Sequence, residues 1–201
     1  YPTASATVPP VDPGTTGLVA YYPFDGDATD AVGNHDGTLT GSPGYATGMV
    51  GKALHMTSDA QYASVVYAPD LAMNTFTVAA WFNVADLDSL RAILGTRIGA
   101  DYTFDLKAES TRIHGDIGDG TAWLNTSLDI SAAKGGVIGA GEWHHIAYVI
   151  DNVTQTCCMY LDGALGATAA FSGTPLFMKS TQTLGIGYCS SPEYMHGQID
   201  E

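Results

Sequence analysis

The sequence predicts an all-β chain, folded as a two-sheet antiparallel sandwich or jelly roll with an extended N-terminal arm. Three observations predict it. Only 14% of the 201 residues are charged while 45% are hydrophobic and 24 are Gly, a composition that favours many short strands and tight turns over amphipathic helices. About a dozen β-type runs follow one another between Gly, Asp and Ser clusters, and none is a convincing helix. The acids are 17 Asp against four Glu, and Asp prefers turns and caps where Glu suits exposed helices.

Taken in order, residues 1–16 (YPTASATVPPVDPGTT) hold four Pro and five Thr or Ser. They forbid a helix and supply no core, so they read as an arm or linker. Within them Thr3-Ala4-Ser5-Ala6-Thr7-Val8 alternates polar and small apolar residues, the period of an extended strand, and Pro9-Pro10 stops any ladder. Residues 17–201 read as one domain. Its first strand is placed at 18–22, before an Asp- and Gly-rich loop to Gly37. Further strands are expected at 53–56, 62–66, 76–84, 92–97, 102–106 and 112–117, then at 122–128, 143–150, 156–161, 165–169, 183–189 and 195–200. In Phe76-Thr77-Val78-Ala79-Ala80-Trp81-Phe82 both faces are fairly apolar, as expected where one face meets a partner sheet and the other is partly covered.

The formal charge of −14 comes from seven basic and 21 acidic residues. It argues against nucleic acid and anionic membranes, which need basic patches. Divalent cations, neutral sugars, other proteins or plain solubility remain. No apolar run approaches the roughly 18 residues of a membrane span. A start at Tyr1 reads as a processed chain or a piece of a longer one. Asn125-Thr126-Ser127 and Asn152-Val153-Thr154 are glycosylation candidates, so a secreted or cell-surface location is expected. Among three Cys, a vicinal pair in a strand does not easily bridge to itself. Either Cys157 or Cys158 could join Cys189, with Cys158–Cys189 the pair put forward and buried free thiols the alternative.

The motif order resembles the laminin-G-like, or concanavalin A-like, jelly-roll family over nearly all of residues 17–201. LVAYYPFDG at 18–26 and DAVGNHDGT at 30–38 look like its opening strand and loop, and 48–56 like the next strand entry. Phe76-Thr77-Val78-Ala79-Ala80-Trp81-Phe82 is similar to its FT-apolar-AW strand, and Gly141-Glu142-Trp143-His144-His145-Ile146-Ala147 to its G-x-WHH-apolar-A signature. Met159-Tyr160-Leu161-Asp162-Gly163 resembles its hairpin, and Gly197-Gln198-Ile199-Asp200-Glu201 its closing G-x-IDE. Two departures stand out. Thr57-Ser58-Asp59-Ala60 replaces an Asp-Gly turn, and the family's last strand normally continues past IDE.

The best candidate site is a cation site. Asp25 to Asp36 supply four carboxylates and the Asn34 amide within twelve residues, and calcium takes six to eight oxygens. The resemblance implies a structural calcium held by Asp25, Asp30, Asn34 and Asp200; a metal-free turn is the bland alternative. His144 and His145 are strand neighbours that point to opposite faces, so they cannot share one ion. Catalysis is not expected: Glu109, Glu142, Glu193 and Glu201 form no E-x-D-x-x-E pattern, and there is no G-x-S-x-G elbow. Trp123, Tyr102, Tyr188 and Tyr194 lie near loops and are candidate sugar platforms, though aromatics in a sandwich more often belong to the core.

Two functions fit these residues. The first is a structural subunit that self-associates into a ring or filament, its arm (Thr3, Ala4, Ser5, Ala6, Thr7, Val8) adding a strand to a neighbour whose terminal ladder is left unpaired. The second is a non-catalytic carbohydrate-binding or adhesion module of a larger secreted protein.

Overall fold

A computed structural model describes residues 16–97, 99, 101–110, 112–131 and 138–201. The arm at Thr3-Ala4-Ser5-Ala6-Thr7-Val8, and almost all of the segment 1–16, lie outside them. The described residues form two seven-stranded antiparallel sheets face to face, as the sequence predicts, with a two-stranded hairpin laid on one of them.

The first sheet is built from β1 (Thr38–Thr40), β4 (Tyr62–Val66), β13 (Thr183–Ile186), β6 (Arg91–Gly95), β7 (Phe104–Glu109), β8 (Arg112–Gly118) and β9 (Trp123–Ile130), in that order across the sheet. The second runs β12 (Ala164–Ala170), β11 (Thr156–Leu161), β10 (Trp143–Asp151), β5 (Phe76–Val84), β16 (Gly197–Asp200), β3 (Lys52–Met56) and β2 (Gly44–Thr47). Their facing residues alternate with outward ones. Phe76, Ala80, Phe82 and Val84 of β5 are buried while Thr77 and Ala79 are exposed. Phe104 lies at the centre, with ring centroids 5.7 Å from Phe76, 5.5 Å from Tyr148 and 5.4 Å from Phe177, and these rings carry much of the apolar burial that holds the sheets together.

Three expectations are corrected. Residues 18–22 join neither sheet; they run beside β5 as irregular chain, held by Asp30 and Ala31. The run 183–189 is broken at Gly187, whose φ of +82° ends β13 and turns the chain back as β14 (Tyr188–Ser190), which pairs with β15 (Glu193–Tyr194). The short β1 and β2, rich in Gly and Thr, carry too little hydrophobic pattern to read as strands. β16 lies inside the second sheet, with Ile199 paired to Leu54 of β3 on one side and to Phe82 of β5 on the other.

The predicted Cys158–Cys189 bridge is also absent, and all three thiols are free. On β11 Cys157 points into the core and Cys158 outward, whereas Cys189 lies on the outer side of the other sheet, against the Leu94 and Leu106 carbonyls. The sandwich, with sheets about 10 Å apart, separates the two sulfurs.

Candidate functional site

The outer face of the first sheet is polar and extensively paired. Along β7 and β8 the outward residues are Asp105, Lys107, His114 and Asp116, and antiparallel register sets Asp105 opposite Asp116 and Lys107 opposite His114. Lys107 Nζ lies 3.1 Å from Asp105 and 3.3 Å from Asp116. His114 Nδ1 lies 2.6 Å from Asp129 on β9, and Arg97 bonds both Asp105 (2.7 Å) and Glu193 of β15 (2.5 Å). Burial, and then the neighbouring Asp116, push the Asp105 carboxyl up to about 6. Burial alone would lower the His114 pKa, but the Asp116 and Asp129 carboxylates outweigh it and hold the imidazole above its usual value. Asp105 has no exposed surface, so this carboxylate pair offers a substrate no access. Its visible work is to fasten the β14–β15 hairpin to the sheet through Arg97.

The hairpin in turn carries aromatic residues. Tyr188 stacks on Tyr194 at 5.0 Å and on Tyr62 at 4.7 Å, the three ring planes lying within 22–33° of one another. Tyr62 faces outward because Ala63 and Val65, its alternate neighbours on β4, are buried. All three residues are part-exposed. The approach depends on glycine: a Cβ on Gly95 would sit 2.6 Å from Cys189 Sγ and 2.9 Å from its Cβ. Two of the four predicted platform residues thus meet here, together with Tyr62, which the sequence reading passed over. Its signal was available, as the leading, outward position of a strand with apolar alternate residues. Tyr102 and Trp123 form a separate pair at the other end of the sheet, 5.3 Å apart and tilted by 59°, so they share no common flat face.

The predicted cation ligands separate into two groups. Asp25 and Asp200 both grip the turn between β2 and β3: Asp25 accepts from Lys52 N at 2.8 Å, and Asp200 Oδ2 accepts from Met49 N and Val50 N at 2.8 and 3.0 Å. Asp200 is fully buried, its Oδ1 has no partner among the described residues, and burial pushes its carboxyl up to about 6. Both carboxylates, with Glu201, also raise the pKa of Tyr21, whose burial is the larger cause. Asp30 is occupied elsewhere. It accepts from the backbone of Tyr21, Val32 and His35 and pairs with the His35 ring at 3.1 Å, and Asn34 is exposed beside Asp70. No group of three Asp, Glu, His or Cys side chains among the described residues is arranged to hold a metal ion. The four predicted ligands therefore do not form one cluster among the described residues, and Asp200 keeps a buried oxygen without a partner there.

His144 and His145 diverge as expected. His144 Nδ1 meets Asp162 at 2.9 Å and its ring packs near Phe82, while His145 packs edge-on to Trp81. Asn125 sits in β9 with its amide bonded to Ala170 O, and Asn152 in the exposed turn after β10. No helix among the described residues is long and apolar enough to cross a membrane.

Comparison with known proteins places the chain. The sequence model of the concanavalin A-like lectin/glucanases superfamily matches residues 57–201, and the chain belongs to that family. No curated protein matches it. Among solved structures, domain 4 of AbnA, a GH43 extracellular arabinanase from Geobacillus stearothermophilus in complex with arabinotriose, superposes with a TM-score of 0.68 at 20% identity, covering 91% of this chain and 89% of that one. CBM40 of the Ruminococcus gnavus IT-sialidase, bound to alpha2,3 sialyllactose, gives 0.56 at 17% identity over 74% and 86%. The receptor binding domain of botulinum neurotoxin C/D mosaic serotype gives 0.59 at 14% identity, over 86% of this chain but 44% of its own. At these identities the likeness establishes the fold.

Proposed function

We propose that the chain is a non-catalytic carbohydrate-binding module of a secreted or cell-surface protein, with Tyr62, Tyr188 and Tyr194 as its sugar-stacking platform. The observation that carries it is the cluster of three part-exposed, near-parallel tyrosine rings stacked on the hairpin. The ring faces that this stack leaves uncovered take the apolar face of a pyranose or furanose, and the phenol oxygens bond its ring substituents. The solved relatives that hold arabinotriose and sialyllactose support this reading over catalysis. A net charge of −14 favours neutral sugars over sulfated or uronic ones. The test is a glycan array followed by calorimetry on the best neutral hit. Tyr188→Ala removes the central ring and is expected to weaken binding roughly 5- to 30-fold, about 1–2 kcal/mol. Undiminished binding by Tyr62→Ala, Tyr188→Ala and Tyr194→Ala would place the site elsewhere, and Trp123→Ala is the control.

A further inference from the structure

A second feature, on the sheet that carries the hairpin, goes beyond sugar binding. In Asp105-Leu106-Lys107 of β7 and His114-Gly115-Asp116 of β8 the polar residues stand on alternate positions, so each pair shares the outer face of its strand. Register sets Asp105 opposite Asp116 and Lys107 opposite His114, which makes Lys107 and Asp116 diagonal neighbours. At that spacing a long side chain reaches across, and Lys107 Nζ stands 3.3 Å from Asp116 Oδ2 and 3.1 Å from Asp105 Oδ2. All three residues are buried, and Asp105 Oδ1 has no hydrogen-bond partner among the described residues. Burial first, and then the facing Asp116, raise the affinity of Asp105 for its proton. An amine, a carboxyl and a proton-holding acid thus meet in one closed cluster.

We infer that Lys107 and Asp116 join covalently, as an amide between the lysine amine and the aspartate side-chain carboxyl, with Asp105 as the acid beside them. The Lys107 ammonium gives one proton to the Asp116 carboxylate, and the freed Nζ lone pair attacks Asp116 Cγ. A C–N bond forms and one Cγ–O bond breaks. The departing oxygen leaves as water with that proton and a second from Nζ, relayed through Asp105, which ends protonated as it began. No oxidant or outside reactant enters. Asp116 is the electrophile because its other oxygen, Oδ1, lies 2.9 Å from His114 Nε2. Asp129, 2.6 Å from His114 Nδ1, favours the charged form of that ring, so the carboxyl is polarised by an imidazolium on one oxygen and the ammonium on the other. Asp105 lies on the same strand as Lys107, and its Oδ2 is held by Arg97 at 2.7 Å. Burial favours the product, since an ion pair pays a desolvation cost that a neutral amide largely avoids. Fixed placement of amine beside carboxyl supplies an effective concentration of about 10⁵–10⁸ M. The closure that denies an outside substrate access also keeps water from reversing the step. The bond staples β7 to β8, next to the β6 strand that the hairpin rests on.

Intact-mass spectrometry of the denatured chain, followed by tryptic mapping, tests this. The parent is expected one water below its sequence mass. Trypsin is expected to leave residues 98–112 uncut after Lys107 and joined to 113–134 as one branched fragment. Lys107→Arg and Asp116→Ala should each restore the full mass. Asp105→Asn, which keeps the shape but not the acid, should leave most of the chain at full mass. The parent's own mass and map decide the proposal even where a variant fails to fold. A parent at full mass would overturn it and leave the cluster as a buried ion network. So would a water lost as a succinimide at an Asp-Gly pair, seen as a normal cut after Lys107, or a branch running from Lys107 to Asp105. An Asp105→Asn chain cross-linked as fully as the parent would overturn the part given to Asp105.

Discussion

Gly95→Ala is the sharpest probe of how the tyrosine platform is built. Gly95 is an ordinary strand residue of β6, outside the positive-φ region, so alanine meets no backbone penalty of its own. The penalty is contact. The added methyl would stand 2.6, 2.9 and 3.0 Å from Sγ, Cβ and Cα of Cys189, against the 3.5–4.0 Å of an unstrained carbon contact. Two of these three atoms, Cβ and Cα, are fixed by the Cys189 backbone, so rotation of the thiol relieves little and β14 must retreat by roughly an ångström. That retreat strains Gly187 N to Ile93 O at 2.8 Å and the Arg97–Glu193 pair at 2.5 Å. Overpacking of this kind costs about 1–3 kcal/mol, and for a chain of this length each kcal/mol lowers the melting temperature by about 2–4 °C. Calorimetric melting and sugar titration are measured on Gly95→Ala, Cys189→Ala and the double variant. The single Gly95→Ala change is expected to lower both stability and sugar affinity. The double variant, with the nearest clashing atom gone, recovers part of each, a coupling that a double-mutant cycle isolates. If Gly95→Ala melts and binds like the parent, the hairpin is not seated on the sheet as described and the platform argument fails.

Three further outcomes follow from the same geometry. Phe104→Ala opens a cavity at the junction of Phe76, Tyr148 and Phe177 and is expected to cost about 3–5 kcal/mol in denaturant unfolding. His35 lies buried between Asp30 (3.1 Å) and Asp70 (3.0 Å); burial pulls its pKa down, but the two carboxylates prevail and raise it above 6.5. Its stabilisation is thus full below 6.5 and lost as pH rises through the higher folded value, so the stability gap between the parent and His35→Gln should shrink at alkaline pH; a gap constant with pH would refute the pairing. Calcium is expected to raise the melting temperature through the Asp25–Asp200 turn. Asp200→Asn should abolish that response and Asp30→Asn should retain it, although the latter keeps one acceptor oxygen for Tyr21 and Val32 and loses the one that His35 N uses.

The fold was legible because alternation and turn chemistry agree along most of the chain. Residues 62–66, 76–84 and 156–161 are strands to the residue, each a run of β-branched, aromatic or small apolar residues bounded by polar turns. Where the sequence misled, a non-local cause was at work. Residues 18–22 have strand composition, but a strand exists only by pairing, and none of the described strands pairs with them. Gly187 looks like any strand glycine until its positive φ is seen. Among the site residues, Tyr188 and Tyr194 were accessible from their loop positions, whereas Tyr62 is brought to them by a pairing of β4 with β13 across more than a hundred residues of sequence. The cation set failed for the same reason: proximity in sequence linked Asp25, Asp30 and Asn34, while in space His35 captures Asp30 and the β2–β3 turn captures Asp25.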